Sequence, residues 1–304
     1  MTLTNTNSLI LLQAAKTLGI STQILNSSQG KIKLTKGEKS HIVHKHGFNL
    51  NPHQAIVLTR NKIKTLTLLR RHGLPVPKIY DLRSKIYFPL VIKPVSGQKG
   101  QHVYLNIKNQ PQLATALTQI SGPTLMQSFI PGRDLRFFVL NNQVIGITHR
   151  RPPQITGDGR STIKQLIDAE NLRRVKLTQS SGRRMLNRLR HWPRIRWYLN
   201  LQGLALKAIL PKNQTLELYP LANFSTGGSA HTLPLSQVHP SLIRLAQKAV
   251  KLTGLTVAGV DMIISDKGAY ILEVNSDPSL RLHEWPNTGR PQPVAEKLFR
   301  YIFS

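Results

Sequence analysis

The sequence predicts an α+β protein in which antiparallel β-hairpins alternate with short helices. Apolar, β-branched runs occur in pairs separated by a few residues; residues 134–140 and 143–149, for example, flank an Asn-Asn turn. Two predicted helices each end at a glycine, Gly19 and Gly73. The chain has 304 residues, which is enough for one large or two modest domains with a substantial core.

The composition is strongly basic, because 42 Lys and Arg oppose 13 Asp and Glu, for a net charge of +29. Such a field attracts nucleotides, acidic peptides, nucleic acids or anionic lipid, and does not choose among them. The absence of cysteine excludes disulfides and thiolate chemistry. The apolar stretches are far shorter than the roughly 20 residues of a membrane span, and no signal peptide is evident, so a cytoplasmic protein is expected.

The first elements are expected to be short. Residues 1–58 predict a small α/β region, with a serine-capped helix at 8–18 followed by three short strands around residues 22–25, 31–34 and 40–44. A second helix is predicted at 61–72. The next unit is predicted as β-turn-β-α-β, with its strands and helix at residues 88–93, 102–107, 111–120 and 124–127.

A basic stretch follows a helix that is predicted at residues 161–171. Between Glu170 and Glu217 the sequence has no acidic residue but eleven Lys and Arg. Three aromatic residues are interleaved with these basic ones: Trp192, Trp197 and Tyr198. Two further helices are predicted at 241–253 and from residue 293.

Asp261 and Glu273 lie on two apolar runs around the turn Asp266-Lys267-Gly268. A three-residue loop at 266–268 would pair these two carboxylates directly, with Cβ atoms roughly 5 Å apart. At an effective dielectric of about 20 they would repel by roughly 3 kcal/mol, which predicts a cation between them. With Asn275, they form a set of hard oxygen ligands that suits Mg²⁺ better than zinc. The alternative is a two-residue loop, which would send the carboxylates to opposite faces.

Lys93 ends an apolar strand and is followed at once by a glycine turn that contains Gly97 and Gly100. A lysine and backbone N–H groups at such a turn suit a polyphosphate, although the Walker A pattern is absent. An ordinary hairpin turn is the alternative.

The segment from Gln127 to Ile130 is predicted as an edge strand whose free backbone groups could read an adenine edge, with Asp134 in reach of a ribose. Arg136 and Arg150 lie on consecutive strands of one hairpin. Guanidinium groups bind carboxylates or phosphoryl oxygens in bidentate fashion. A solvated strand face is the alternative for each arginine.

Together these residues resemble the ATP-grasp carboxylate–amine ligases, and most closely the ATP-grasp module of cyanophycin synthetases; glutathione synthetases and ribosomal-protein glutamate ligases are similar at a greater distance. The resemblance covers roughly residues 58–295. The motifs that carry it are Asn61-Lys62-x-x-Thr65, Gly73-Leu-Pro-Val-Pro77, Val91-Ile-Lys93-Pro, Gly132-Arg-Asp-Leu-Arg136, Arg150-Arg-Pro-Pro-x-x-Thr-Gly-Asp-Gly159, Asn223-x-Ser225-Thr-Gly-Gly228, Val257-Ala-Gly-Val-Asp261 and Leu272-Glu-Val-Asn275-x-x-Pro-x-x-Arg281.

This resemblance implies an ATP-grasp fold, with two α+β subdomains that grip ATP between antiparallel sheets and a small N-terminal α/β cap. The implied divisions are the cap at 1–58, a central subdomain with a glycine lid at 59–126, and a C-terminal subdomain at 127–304 with a basic insertion at about 151–222. Two departures from the family pattern stand out: His102 replaces the last glycine of the lid, and Gln127 replaces an acid near the adenine.

The resemblance also implies residue roles. ATP would be bound by Lys62, Lys93, Gly97, Gly100, Gln127, Ile130 and Asp134. Mg²⁺, or alternatively Mn²⁺, would be held by Asp261, Glu273 and Asn275. The acceptor carboxylate and its acyl phosphate would be held by Arg136, Arg150, Arg281 and the loop of Ser225, Thr226, Gly227 and Gly228.

The expected activity is ATP-dependent amide formation on an amino acid or a peptide, through an acyl phosphate. The basic stretch at 173–196 would recruit an acidic acceptor, and the enzyme would act without a membrane, with a homo-oligomer as an option. Because a second ligase domain is not seen, polymerisation by two alternating sites is not expected. Two alternatives stay open: a nucleic-acid- or ribosome-associated binding protein, favoured by the charge and the interleaved aromatics, and a catalytically degenerate ATP-grasp scaffold.

Overall fold

The fold is described from a computed structural model, over residues 6–44, 47–81, 85–96, 102–183 and 186–304. The chain forms two compact units that interleave along the sequence. Unit 1 comprises Met1–Pro77, Pro131–His149 and His231–Ser304, and unit 2 comprises Lys78–Ile130 and Arg150–Ala230. These units are defined by packing within the chain. The division into subdomains at residues 58 and 126, which the family resemblance implies, stays a prediction.

Both helices and strands are short, and the predicted α+β class is confirmed. The helices are α1 (Thr6–Thr17), α2 (His53–Arg60), α3 (Lys62–Arg71), α4 (Gln110–Thr118), α5 (Ile163–Ser181), α6 (Trp192–Asn200), α7 (Pro240–Thr253), α8 (Arg281–Glu284) and α9 (Val294–Ile302). The strands are β1 (Ser21–Asn26), β2 (Lys31–Lys36), β3 (Lys39–Val43), β4 (Ile79–Tyr80), β5 (Leu90–Pro94), β6 (Tyr104–Ile107), β7 (Thr124–Ser128), β8 (Arg133–Leu140), β9 (Gln143–Arg151), β10 (Gln154–Thr156), β11 (Thr215–Glu217), β12 (Ser229–Thr232), β13 (Val257–Ser265) and β14 (Gly268–Asn275).

The main sheet of unit 1 has five strands in the order β12-β9-β8-β13-β14. Because side chains alternate along a strand, neighbouring residues of β8 enter two different cores. Phe137 and Val139 pack in one core with α7, whereas Phe138 and Leu140 pack in another with α1 and α9. Both faces of the central strands are therefore covered by helices.

The N-terminal segment shares this second core. Its three-stranded antiparallel sheet, in the order β1-β2-β3, contributes Ile32 and Leu34, which are buried together with Leu11 of α1 and Phe299 of α9. The predicted strands are confirmed. The predicted serine cap is wrong, because α1 begins at Thr6 and Ser8 is buried within it.

The hairpin of β13 and β14 has a two-residue loop, because Ser265 pairs with Gly268. The predicted three-residue loop is therefore wrong. Continued without interruption, this register would place Asp261 opposite Leu272 and would turn Glu273 to the other face. A bulge leaves Leu272 as an extra residue, and beyond it Asp261 pairs with Glu273. The predicted pairing of the two carboxylates is confirmed, by a route that the sequence did not show.

Unit 2 contains a four-stranded antiparallel sheet in the order β4-β7-β5-β6. The β-turn-β-α-β prediction is confirmed by β5, β6, α4 and β7. However, β7 lies between β4 and β5, so the prediction that Gln127 begins an edge segment is wrong. The sheet covers a small core that includes Leu90, Ile92, Leu113 and Met126.

A second core of unit 2 forms around α5 and α6. Helix α5 is longer than predicted and begins at a capping box, in which the Thr162 side chain accepts from the Gln165 N–H and the Gln165 side chain accepts from the Thr162 N–H. Helix α6 lies within the basic stretch and was not predicted. Its Tyr198 is buried and donates a hydrogen bond to the carbonyl of Leu105, while Trp197 packs edge-on against Tyr104.

Among the described residues, none of the helices is both long and apolar enough to cross a membrane.

The turn before β8 packs closely against β13 at Gly132, and a substitution there can test this packing. An added Cβ would lie 2.3 Å from the carbonyl oxygen of Ile264 and 2.8 Å from the Ile263 side chain. Gly132→Ala is expected to lower the free energy of unfolding by about 1–3 kcal/mol, since backbone atoms must shift. Gly47→Ala is the control, because its added Cβ has no atom within 4 Å among the described residues that are not its chain neighbours. Equal urea midpoints for the two variants would contradict this packing.

Candidate functional site

A buried ion pair lies at the centre of the main sheet of unit 1. The register of β8 and β13 places Arg136 directly opposite Asp261. The guanidinium donates to both carboxylate oxygens, through Nε to Oδ1 and through Nη2 to Oδ2 at 2.8 Å. Arg136 is only 7% exposed and Asp261 only 4%. Arg136 was predicted to hold a substrate carboxylate, but in this structure its guanidinium contacts a carboxylate of the protein; a role toward substrate stays a prediction.

Gly259 provides the space for this arginine. It lies two residues before Asp261 on β13, and an added Cβ would come within 3.1 Å of both Cδ and Nη1 of Arg136. A side chain at this position would therefore displace the guanidinium from Asp261. The Val-Ala-Gly-Val-Asp motif thus combines an acid with the cavity that its partner needs.

Glu273 also has a cationic neighbour. The Nζ atom of Lys62, at the start of α3, lies 3.4 Å from Glu273 Oε1. Asn61 caps this helix by accepting a hydrogen bond from the Lys64 N–H at 3.0 Å, which fixes where Lys62 begins the helix. The two facing carboxylates are thus accompanied by two protein cations. The repulsion that predicted a metal is offset by these cations, so charge alone does not require one.

The chemistry of the donor set does fit a divalent cation. Asn275 pairs with Gly259 and lies two residues beyond Glu273, on the same strand face. Its Oδ1 accepts a hydrogen bond from the Asp277 N–H at 2.9 Å. A carboxylate has about four lone-pair positions, so hydrogen bonds from Arg136 leave acceptor capacity on Asp261. These oxygens suit Mg²⁺, and no group of three His, Cys, Asp or Glu offers another metal site in the described part of the chain.

Asp134 and Arg281 also belong to unit 1, and both are half-buried. Asp134 lies at the start of β8, opposite Ile263, and Arg281 begins the short helix α8. The last residue of α8, Glu284, accepts a hydrogen bond from the Ala295 N–H at 2.7 Å and so joins α8 to the start of α9. Burial raises the pKa of the Glu284 carboxyl to about 7.

In unit 2, Lys93 and Gln127 share one face of the four-stranded sheet. Both are buried, and the register pairs Lys93 with Leu125 and Val91 with Gln127. The intervening Ile92 points to the apolar core on the other face. The structure therefore brings together two of the residues that were predicted to bind ATP.

The backbone beyond Gln127 is less available than predicted. The N–H of Ser128 donates a hydrogen bond to the backbone carbonyl of Lys78, and that of Phe129 donates to the backbone carbonyl of Pro89, each at 2.9 Å. Ile130 is half-buried and stays the predicted adenine contact. The predicted phosphate contacts of Gly97 and Gly100 lie outside the described residues.

The loop at 223–228 forms a tight 3₁₀ turn in unit 2, and Arg150 is buried at the end of β9. Gly227 has a φ of +103°, a conformation that favours glycine. The N–H groups of Thr226 and Gly228 donate to the Asn223 carbonyl at 3.2 and 3.0 Å. This turn is fixed by its own backbone before any ligand is considered.

Arg174 holds this loop from outside, and the sequence did not mark it among the other basic residues. It is 4% exposed, and its Nη1 donates to the carbonyls of Gly227 at 2.8 Å and of Asn187 at 2.5 Å. Its Nε donates to Glu170, one helical turn earlier, at 2.7 Å. The only sequence signal is the i, i+4 spacing of Glu170 and Arg174, which is also common on exposed helices.

Comparison with known proteins gives a consistent result. A family model described as the RimK-like ATP-grasp domain matches residues 59–173 and 221–301. The cyanophycin synthetase of Synechocystis sp. is 30% identical over 280 residues, which cover 84% of this chain and 32% of that protein. The glutathione biosynthesis bifunctional protein GshAB of Clostridium perfringens is 26% identical over 319 residues, which cover 97% of this chain and 40% of that protein. The chain thus spans less than half the length of either relative.

A solved structure shares the fold. The bifunctional glutathione synthetase from Pasteurella multocida matches with a TM-score of 0.68 at 22% identity, over 98% of this chain and 44% of that chain. At this identity the likeness speaks for the fold alone.

The buried pair can be tested by removing its cation. Arg136→Met leaves Asp261 buried opposite an apolar side chain, so the free energy of unfolding is expected to fall by about 3–5 kcal/mol. Arg173→Met is the control, because Arg173 pairs with Glu170 but its side chain is 59% exposed, and about 0–1 kcal/mol is expected. Urea unfolding of both variants measures the difference. Equal losses would contradict a buried, charge-dependent pair.

Glu284 predicts a pH dependence. Its pKa of about 7 in the folded protein exceeds the ordinary 4.5, so the wild type loses stability as the pH rises from about 4.5 to about 7. Glu284→Gln keeps an acceptor for the Ala295 N–H but does not titrate. The variant is expected to gain roughly 3 kcal/mol relative to the wild type between pH 4 and pH 8, as measured by urea unfolding. A difference that does not change with pH would show that Glu284 is not buried as a carboxyl.

Proposed function

Because the chain belongs to the RimK-like ATP-grasp family, we propose that it is an ATP-dependent ligase that joins the carboxylate of an amino acid or peptide to an amine. The observation that carries this proposal is the hairpin of β13 and β14. It presents Asp261, Glu273 and Asn275 on one face, with Arg136 and Lys62 against the two carboxylates. The names of the relatives, cyanophycin synthetase and a glutathione biosynthesis protein, support the same class of reaction.

The proposed reaction has two steps. A carboxylate oxygen of the acceptor attacks the γ-phosphorus of ATP, and ADP leaves, so that an acyl phosphate forms. The amine nitrogen then attacks the acyl carbon, and phosphate leaves as the amide forms and the amine proton passes to solvent. The first step makes a poor electrophile reactive, and the second uses that activation.

Asp261, Glu273 and Asn275 would hold a divalent cation, Mg²⁺ or Mn²⁺. Bound there with ATP, the cation would neutralise charge on the β- and γ-phosphates during transfer. In this account Arg136 is a positioning residue, since it fixes both oxygens of Asp261 and offsets its charge in a buried place. The Lys62 ammonium lies 3.4 Å from one oxygen of Glu273, and in this proposal it would move between that carboxylate and a phosphate.

The remaining roles follow the family pattern. Lys62 and Lys93 would contact phosphates, together with the lid glycines Gly97 and Gly100. The nucleoside would be bound by Gln127, Ile130 and Asp134. The acceptor carboxylate and the acyl phosphate would be held by Arg150, Arg281 and the loop of Ser225, Thr226, Gly227 and Gly228, and the guanidinium groups would stabilise a tetrahedral oxyanion.

The nucleic-acid alternative loses most of its aromatic support. Tyr198 is buried and hydrogen-bonded within unit 2, and Trp197 packs against Tyr104 and Tyr198. These rings build the core of unit 2 and do not form an exposed stacking surface. Trp192, the third aromatic of the basic stretch, is half-buried and lines a surface groove, so the charge and this one ring are what speak for a nucleic-acid partner.

Replacement of one predicted metal ligand tests the ligase proposal. With ATP, Mg²⁺ and a mixture of amino acids and short peptides, the wild type is expected to release phosphate and to yield amide products that mass spectrometry identifies. Glu273→Ala is expected to reduce this release on the order of 100-fold or more. Glu217→Ala is the control, because Glu217 is exposed on β11. Thermal stabilisation by ATP and Mg²⁺ without phosphate release under any acceptor would instead identify a nucleotide-binding scaffold.

A further inference from the structure

The family model leaves residues 174–220 unmatched. This stretch lies within the basic insertion predicted at about 151–222, and from here on the name insertion refers to residues 174–220. The insertion is well packed. Leu189, Ile195, Leu199 and Tyr219 are almost completely buried in the second core of unit 2, where they meet Ile163 of α5. Because so many of its side chains are buried, the insertion is an integral part of the core of unit 2. The ATP-grasp fold does not explain the role of the insertion.

A shallow apolar groove of about 320 Å³ lies between α5 and the segment at residues 188–192. This volume is at the lower end of the range for ligand sites and suits one or two side chains. Leu172 on its wall is 56% exposed, so this part of the apolar lining can be reached from solvent. We call this site the docking groove, and its lining residues are Asn171, Leu172, Val175, Arg188, Leu189, Arg190 and Trp192.

The rim of the docking groove is positively charged. Arg188 and Arg190 line it and are exposed. The nearest acids in sequence are both engaged, since Glu170 pairs with Arg173 and Arg174 at 2.6–2.8 Å and Asp168 pairs with Lys164 at 2.7 Å. The next acid toward the C-terminus is Glu217. An apolar wall with two arginines at the same groove therefore complements a chain that carries an aliphatic side chain near carboxylates.

The floor of the docking groove also supports the loop at 223–228. Leu189 lines the groove, and its Cδ2 would lie 2.5 Å from a Cβ added at Gly227. Both hydrogen-bonding groups of the Asn171 side chain are bonded to the backbone of Leu189, at 2.7 and 3.1 Å. Arg174 then joins Asn187 to Gly227. One continuous set of contacts thus links the groove to the loop that we assign to the acceptor.

We propose that the docking groove binds an acidic peptide, with an aliphatic side chain on Leu172 and Val175 and with carboxylates against Arg188 and Arg190. This inference rests on the proposed ligase function, since it names the peptide as the acceptor substrate. It differs from a general attraction of anions to a basic protein, because it requires both the apolar wall and these two arginines.

Fluorescence anisotropy without ATP tests the binding directly. A labelled Glu-Glu-Leu-Glu-Glu peptide is expected to bind at least 10-fold more tightly than Glu-Glu-Ser-Glu-Glu. The double variant Arg188→Glu/Arg190→Glu is expected to weaken the leucine peptide at least 10-fold. The matched control is Arg244→Glu/Lys248→Glu, which makes the same charge change at exposed positions of α7. Equal weakening by the two double variants, or equal affinity for the two peptides, would overturn the proposal.

A second variant guards against loss of folding. Because Leu172 is exposed, the uncharged change Leu172→Ser is expected to fold normally, to weaken the leucine peptide about 10-fold and to affect the serine peptide much less. An RNA oligonucleotide of equal charge that displaces the leucine peptide at lower concentration would show that the groove serves nucleic acid, and would overturn the peptide assignment.

Turnover separates this proposal from the ligase proposal. The docking groove predicts that Arg188→Glu/Arg190→Glu raises KM for an acidic peptide at least 10-fold while phosphate release with free amino acids is unchanged. Peptide binding that needs the groove, together with no turnover by the wild type, would overturn the ligase function and leave the docking groove standing. Turnover of acidic peptides that is unaffected by the double variant would overturn the docking groove alone.

Discussion

The structure of unit 1 depends on a buried pairing of Arg136 with Asp261. A carboxylate in the centre of a sheet would lose several kcal/mol of hydration, and only a partner with matched geometry offsets that loss. The planar guanidinium does so by binding both oxygens, and Gly259 leaves the space that it occupies. Since Glu273 pairs with Asp261 across the hairpin, this interaction fixes one member of the facing carboxylate pair, and the bulge at Leu272 brings the other opposite it.

The same logic of a fixed support applies in unit 2. There Arg174 is buried, and it holds a glycine turn through backbone carbonyls, while the insertion packs Leu189 beneath Gly227. Each unit thus uses a buried arginine to fix groups that are assigned to chemistry. In unit 1 the arginine orients a carboxylate, and in unit 2 it orients a backbone loop.

Many helices and strands were predictable because they depend on residue patterns within short segments of the chain. Paired β-branched runs predicted the hairpins, glycine stops predicted helix ends, and the resemblance to ATP-grasp ligases is confirmed by the family match. The carboxylate pairing came out right only because a loop one residue shorter than predicted is compensated by the bulge at Leu272. A bulge has no marked sequence signal here, since Leu272 is as apolar as its neighbours.

Residue type and spacing within short segments were enough to predict the α+β class, the ATP-grasp family and the oxygen-bearing residues that we propose as metal ligands. The tertiary structure determines which cations accompany those residues, because Arg136 and Asp261 are 125 residues apart and meet through strand register. It also decided that Tyr198 belongs to a core and that Arg174 is buried. Burial depends on what packs against a residue. The sequence alone does not distinguish a basic or aromatic residue that faces solvent from one that faces the interior.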